Sequence, residues 1–378
     1  MKILLAAWAG MFAVKATAHD LGRFENLEAS PAYNFSARPP DHILLHFSEA
    51  RLAAAGSPNS PVPASATTAG TNFVWKTEEL AAAFGSFGQK LKTRSDADFF
   101  YVESDGLPSH NMMVGIRNWQ QQVPLPQFYF GGNAWRLPLR PVLAANPISA
   151  RNNLFRGAIA LAVNGVPIFN ALNNRGEDSF KIGELDQWGG HCGRADDYHY
   201  HAAPFHLQEK VGRGPIAIAL DGYPIYGLTE PDGSAVRTLD EWNGHFDAVG
   251  HYHYHGTTTY PYINGGMRGE VHVAGGQIEP QPEASPARPA LEPLRGAVIN
   301  GFETRGSNQF HLSYELPGGT NQIDYSIKND GSITFVFSDS SGRTRTETFW
   351  RSAATRGAPL EPREGRRRPP PPDRPGPR

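Results

Sequence analysis

Ile159-Ala160-Leu161-Ala162-Val163-Asn164-Gly165-Val166-Pro167-Ile168-Phe169 recurs at an offset of 57 residues as Ile216-Ala217-Ile218-Ala219-Leu220-Asp221-Gly222-Tyr223-Pro224-Ile225-Tyr226. Each copy reads as a buried strand, a turn at Asn-Gly or Asp-Gly, and a second strand. A second match follows at an offset of 54, where Leu185-Asp186-Gln187-Trp188-Gly189-Gly190-His191 aligns with Leu239-Asp240-Glu241-Trp242-Asn243-Gly244-His245. Tyr198-His199-Tyr200-His201 and Tyr252-His253-Tyr254-His255 keep that offset. A duplication of this kind, spanning about 158–206 and 215–262, implies two similar β units packed about a pseudo-twofold axis. The fold class expected is mainly β, with a central domain of two pseudo-symmetric β repeats and a small C-terminal antiparallel β meander.

Each copy presents one histidine after a glycine and two more eight and ten residues later: His191, His199 and His201, then His245, His253 and His255. If Tyr-His-Tyr-His is a strand, alternate side chains share a face. Both imidazoles then point one way, about 6.6–6.8 Å apart along the backbone, and both tyrosines the other. Two such imidazoles converge on one ion, and a third from the adjoining turn completes a three-histidine face with an open position. The cofactor expected is therefore a divalent transition metal, copper or zinc first, since ligand type alone does not separate them from manganese or iron. Two mononuclear sites, one dinuclear centre and one composite site all satisfy the spacing. The blander reading is a pair of aromatic ladders in which the histidines stack without metal.

Several neighbours are candidates for the surroundings of such a site. Asp186, Asp197 and Asp240 either orient a ligand imidazole through its other nitrogen or cap turns. Cys192, directly after a proposed ligand, reads either as a soft ligand or as a buried inert thiol. His110, in a Pro-Ser-His turn, is a further candidate ligand or general base. Tyr198, Tyr200, Tyr252 and Tyr254 flank the histidines as candidate proton donors or acceptors. His206 and His251 lack repeat partners and read as ordinary polar residues.

With 378 residues, 39% hydrophobic and 19% charged, the chain buries a sizeable core rather than remaining disordered. Forty glycines and 32 prolines against 5 methionines favour turns and short strands over long helices. Residues 1–18, with Lys2, an apolar run from Ile3 to Val14 and Ala16-Thr17-Ala18 at the end, read as a signal peptide too short to span a membrane. Its removal takes two lysines from 35 basic residues against 37 acidic, leaving a charge of −4 that suits neither a general nucleic-acid surface nor a membrane surface. Cys192 is the only cysteine, so no intrachain disulfide forms.

An N-terminal segment, 19–98, contains an Ala/Ser/Pro-rich loop from about Arg51 to Thr71 and a short helical pattern from Thr77 to Phe84. The repeat domain occupies 99–276, beginning with strand-like Phe99–Val102, and Gln127–Phe130 also has strand composition. A Pro-rich linker is expected over 277–295. A β-meander module follows over 296–352, with strands at Gln309–Tyr314, Ile323–Ile327, Ile333–Phe337 and Thr344–Trp350, and a disordered Arg/Pro-rich tail over 353–378.

The region from about Phe100 to Val273 resembles the YHYH protein family of exported bacterial proteins. The residues that carry the resemblance are Gly190-His191-Cys192-Gly193-Arg194-Ala195-Asp196-Asp197 running into Tyr198-His199-Tyr200-His201, and Asp221-Gly222-Tyr223-Pro224-Ile225-Tyr226-Gly227. Gly106 to His110 and Tyr260-Pro261-Tyr262 extend it. Relatives carry cysteines near the positions of Trp188, Trp242 and Met267, so the resemblance implies that a disulfide brace found there is missing here. It implies export, to the periplasm or beyond the cell, and carries no activity with it.

Three functions fit these readings. A metalloenzyme would use the histidine sites to activate water or dioxygen on a small molecule. A non-enzymatic protein would bind or buffer the metal ion itself. An extracellular glycan-binding or adhesion module would use Trp188 and Trp242 as stacking platforms. No HExxH helix or nucleophile elbow accompanies the histidines. The partner expected is a small molecule or metal ion, with no specific nucleic acid and no membrane span.

Overall fold

The computed structural model describes residues 73–351. The proposed signal peptide, the Ala/Ser/Pro-rich loop and the Arg/Pro-rich tail lie outside the described residues. The fold is mainly β, and no described helix is long and apolar enough to cross a membrane.

Helix α1 (Thr77–Gly85) lies where the helical pattern predicts and buries Leu80, Ala83 and Phe84. It leads into an antiparallel sheet of β1 (Lys92–Ser95), β2 (Phe99–Glu103) and β3 (Trp135–Pro138). Along β2, Phe100 and Val102 alternate inward, as half-buried strands require. Gln127–Phe130, expected as a strand, contributes only an isolated bridge from Tyr129 to Ser104. Pro124 and Pro126 remove two backbone donors just before it, so no ladder extends there.

Next comes β4 (Leu143–Ser149), and then the two repeats. The first supplies β5 (Ala158–Ala162), β6 (Pro167–Phe169), β7 (Gly190–Cys192) and β8 (Tyr198–Tyr200), closing with a short helix α2 (Gln208–Val211). The second supplies β9 (Ala217–Ala219), β10 (Pro224–Tyr226), β11 (Gly244–Phe246) and β12 (Tyr252–His255). All eight strands join one sheet in the order β11-β12-β10-β9-β5-β6-β8-β7, so equivalent strands appear in the same sequence from either edge. The two halves meet in the antiparallel β5–β9 pair, centred on Leu161 opposite Ile218. These two residues occupy the same position in the two copies. Both central strands are buried throughout, covered on both faces.

In each copy the Tyr-His-Tyr-His strand runs parallel to the strand after the Gly turn, with Ile168 opposite Tyr200 and Ile225 opposite Tyr254. The strand bearing the first histidine pairs with it on its outer side. His191 faces His199, and His245 faces His253.

After the repeats, β13 (Gly266–Gly269) pairs with β4, and β14 (Val273–Ala274) with β15 (Gln277–Ile278). Residues 277–295, expected to link two folded parts, are instead laid against both. Gln281 accepts a hydrogen bond from the Ala158 N–H at 2.7 Å. Arg288 is buried in a two-bonded pair with Asp196, both contacts at 2.9 Å, with its guanidinium carbon 4.5 Å from the Phe335 ring centre. Composition marked the segment as unable to build a core of its own; cores on either side supply its partners.

The C-terminal sheet is a meander of five strands in chain order: β16 (Val298–Thr304), β17 (Gln309–Leu316), β18 (Gly319–Ile327), β19 (Ser332–Ser338) and β20 (Thr344–Trp350). Strand β16 was hidden in the sequence because Asn300-Gly301 breaks its alternation. The break is a register shift between Ile299 and Gly301, where a Cβ on Gly301 would sit 2.5 Å from Ser313 Oγ. On the inner face Phe310, Tyr325 and Phe335 stack with ring centres 4.9 and 5.5 Å apart. The Tyr325 hydroxyl donates to the Pro124 carbonyl at 2.8 Å. One continuous apolar cluster thus runs from Trp75 through the repeats to Phe335.

Candidate metal centres

Each first histidine is presented by an Asx-capped turn. Asp186 Oδ1 accepts the N–H groups of Trp188 and Gly190 at 2.9 and 3.1 Å, and Asp240 Oδ1 accepts those of Trp242 and Gly244 at 2.9 and 3.0 Å. The third turn residue lies in the left-handed region, Gly189 at φ 81° and Asn243 at φ 63°. The following glycine is required by close approach. A Cβ on Gly190 would lie 2.5 Å from the Tyr198 hydroxyl, and one on Gly244 would meet Tyr252 in the same way.

The same aspartates hold the first tyrosine of each motif. Tyr198 donates to Asp186 Oδ2 at 2.8 Å and Tyr252 to Asp240 Oδ2 at 2.9 Å. Asp186 also receives the Met113 N–H at 2.8 Å, and burial pushes its carboxyl up to about 6 against the pull of four donors. Asp186 and Asp240 therefore cap turns and anchor tyrosines; they touch no ligand imidazole. Neither does the second tyrosine. Tyr254 donates to Asp221 Oδ2 at 2.5 Å, while Tyr200 accepts from Asn164 Nδ2 at 3.0 Å, Asn164 and Asp221 being equivalent turn residues. Burial raises the hydroxyls of Tyr198, Tyr200, Tyr252 and Tyr254 above the ordinary tyrosine range, so these groups are neutral struts behind the histidine strand.

The histidines face the other way and converge. In the first copy His191 Nε2 lies 3.0 Å from His201 Nε2, which lies 3.1 Å from His199 Nε2. In the second, His245 Nε2 lies 2.9 Å from His253 Nε2 and 3.3 Å from His255 Nε2. The edge of a tetrahedron of imidazole nitrogens around zinc is about 3.3 Å.

Hydrogen bonding at the far nitrogens decides what these contacts are. A carbonyl only accepts, so His199 Nδ1 donates to Asp197 O at 2.9 Å, and His201 Nδ1 to Asn170 O at 2.5 Å. His255 Nδ1 donates to Gly227 O at 2.9 Å. In the neutral ring the proton is then on Nδ1, and Nε2 of His199 and His201 turn lone pairs toward each other. Protonation is no remedy: burial lowers His201 to about 3 and His191 well below the usual histidine range. A cation would satisfy the lone pairs of His199 and His201 at once, with His191 Nε2 placed 3.0 Å from His201 Nε2 to join them.

The two clusters differ in one residue. Glu230 joins the second, with Oε1 3.1 Å from His245 Nε2 and Oε2 3.2 and 3.5 Å from His253 and His255 Nε2. Burial acts to raise its carboxyl, but the Arg237 N–H and the three imidazoles outweigh this and hold it at about 2. The four groups place one ligand atom each within 4.8 Å of one another, as do the three histidines of the first copy. Glu230 was missed in the sequence; extending the repeat alignment four residues past Phe169 and Tyr226 reaches it, opposite Asn173.

All three histidines of the first cluster line a cavity of about 480 Å³, and Glu230 and His253 of the second line one of about 530 Å³. Strands β8 and β12 are five places apart in the sheet, about 24 Å along it. A dinuclear centre needs about 4 Å, so the sites are separate.

Other candidates lie elsewhere. Asp197 Oδ2 is 3.6 Å from His199 Nδ1, but the bond is made by its carbonyl. Cys192 is buried on the opposite face of β7 from His191, and burial raises its thiol well above the ordinary range, which makes it an inert core group. His110 lies behind the motif strand, accepting the Tyr200 hydroxyl proton at 2.8 Å and stacking on Trp188 with ring centres 4.6 Å apart. His206 packs beside it, 4.9 Å away between ring centres. Trp188 and Trp242 are half-buried against the core.

A β-rich chain with a duplicated histidine cluster is the class that this geometry defines. The family described as YHYH protein matches residues 134–236, 103 of the chain's 378 residues, which supports the resemblance read from the motifs. The match contains the first cluster and reaches past Glu230, ending before His245. No curated protein and no solved structure matches the chain.

Proposed function

We propose that this is an exported protein that binds two divalent transition-metal ions, zinc or copper, in separate sites: one held by His191, His199 and His201, the other by His245, His253, His255 and Glu230. The observation that carries the reading is the convergence of three Nε2 atoms, twice over, with the Nδ1 protons of His199, His201 and His255 committed to backbone carbonyls. Export, to the periplasm or outside the cell, rests on the leader-like first 18 residues.

The second site supplies four protein donors, the number of a closed structural site. The first supplies three and faces a cavity, the arrangement of a site that exchanges a fourth ligand. Chemistry on a small molecule, if the protein performs it, belongs to the first site, where a bound zinc ion would lower the pKa of water to about 7. Around it Phe169 stacks on His199 with ring centres 3.9 Å apart, fixing that ring, while Asn170 and Asp197 fix the tautomers.

The test is metal content by plasma mass spectrometry on untagged protein. Wild type is expected to carry two equivalents, H199A/H201A and H253A/H255A one each, and the fourfold variant none. Folded wild type that holds no metal, and takes up none on titration with zinc or copper, would sink the reading.

A further inference from the structure

The two copies can be superposed by their backbone hydrogen bonds in the loop after β6 and β10. Asn173 N–H donates to Glu177 O as Glu230 N–H donates to Ser234 O, and Gly176 N–H to Asn173 O as Gly233 N–H to Glu230 O. The isolated bridges Leu172–Asp178 and Thr229–Ala235 obey the same offset of 57. Asn173 therefore stands where Glu230 stands. Its amide does not replace the carboxylate as a ligand. Asn173 Oδ1 accepts the N–H groups of Arg175 and Glu177 at 2.9 and 3.1 Å, and Nδ2 donates to Glu177 and Glu184 at 3.1 and 3.2 Å. Its side-chain polar atoms are engaged by its own loop and by Glu184. The position that a carboxylate fills in the second copy is cavity in the first, walled by Asn173 and the three histidines.

Charge sets what enters. Three neutral imidazoles leave both charges of a divalent ion uncompensated, whereas Glu230 cancels one in the second site. Arg156, Arg175 and Arg194 on the cavity wall are matched in number by Glu184, Asp197 and Glu283. Glu184 is itself paired with Arg175 at 2.7 Å. The wall is thus balanced, and the ion's own field selects an anion.

We propose that the first site takes its fourth ligand from solution, and that this ligand is a small anion with a carboxylate-type oxygen, occupying the place that Glu230 holds in the second site. This rests on the metal-binding reading above and assigns to its open site a ligand class: a substrate or effector carrying a carboxylate.

The experiment uses the two one-site proteins, H253A/H255A keeping the first site and H199A/H201A keeping the second. Each is loaded with cobalt(II), whose visible absorption reports its ligands, and titrated with sodium acetate against sodium perchlorate at equal ionic strength. The first-site spectrum is expected to shift saturably. The second-site spectrum should stay fixed, with apparent acetate affinities differing by about tenfold or more. Glu230→Gln in the second-site protein should make it acetate-responsive, and Asn173→Glu in the first-site protein should abolish the response. Cobalt bound at both sites with no acetate response at the first, or equal responses at both, would overturn this inference while leaving the metal reading standing. Failure of either protein to bind cobalt would overturn both.

Discussion

At the scale of the residue, the two copies solve one problem with different degrees of cover. Asp186 is 1% exposed and receives four donors, whereas Asp240 holds the equivalent turn and tyrosine from the surface. Removing a buried acceptor strands each of its donors at about 1–3 kcal/mol. Asp186→Ala is therefore expected to cost about 3 kcal/mol or more, and Asp240→Ala distinctly less, in urea denaturation of the metal-free protein. Equal losses would mean that the cover over Asp186 contributes nothing. The sequence showed these aspartates, with capping and imidazole orientation as alternatives. Capping prevailed because an Asx turn needs only local backbone, while orientation needs a side chain carried to the other face of the strand. Glu230 escaped notice for the converse reason: its role depends on a loop folding back over a strand 23 residues later, and no local pattern encodes that return.

At the scale of the element, short strands succeed because each repeat supplies a parallel neighbour for its motif strand. Three-residue strands such as β7 and β8 hold only a few ladder bonds, and their register depends on the Asx turn and on packing of the tyrosines. The meander strands were legible from alternation and Gly turns. Strand β16, with its Gly301 bulge, was not, nor was the Pro-flanked failure of Gln127–Phe130. Segment 277–295 shows how composition misleads when partners come from elsewhere. Arg288 is 7% exposed, and its loss leaves Asp196 buried without its cation. Breaking a buried pair costs about 3–5 kcal/mol, so Arg288→Ala should lower the urea midpoint substantially with the slope unchanged. A loss of under about 1 kcal/mol would show the segment to be a surface strap rather than a structural joint.

At the scale of the molecule, one apolar cluster spans the helix, the repeats and the meander, and the proposed ions bind at opposite ends of its largest sheet. An ion that binds only the folded chain stabilises it by about 2.7 kcal/mol per site at a hundredfold excess over its dissociation constant. Scanning calorimetry should therefore show a rise in Tm on loading wild type and about half that free-energy gain in either one-site protein. With sites about 24 Å apart along the sheet, binding at one should leave affinity at the other unchanged. A large coupling would mean that the central β5–β9 pair transmits strain.

The sequence by itself determined the β character, the duplication, the six histidines and the separation of histidines from tyrosines onto opposite faces of each motif strand, because pleat periodicity and turn chemistry are local and survive in the order of residues. Only the tertiary structure decided that the copies meet through β5 and β9, that the histidine sets fall near opposite ends of the sheet as two separate clusters, and that a glutamate joins the second cluster alone. Those outcomes depend on which strands lie beside which and on where loops return. Pairings between distant residues set them, and several arrangements of the same strands would satisfy the local pattern equally well.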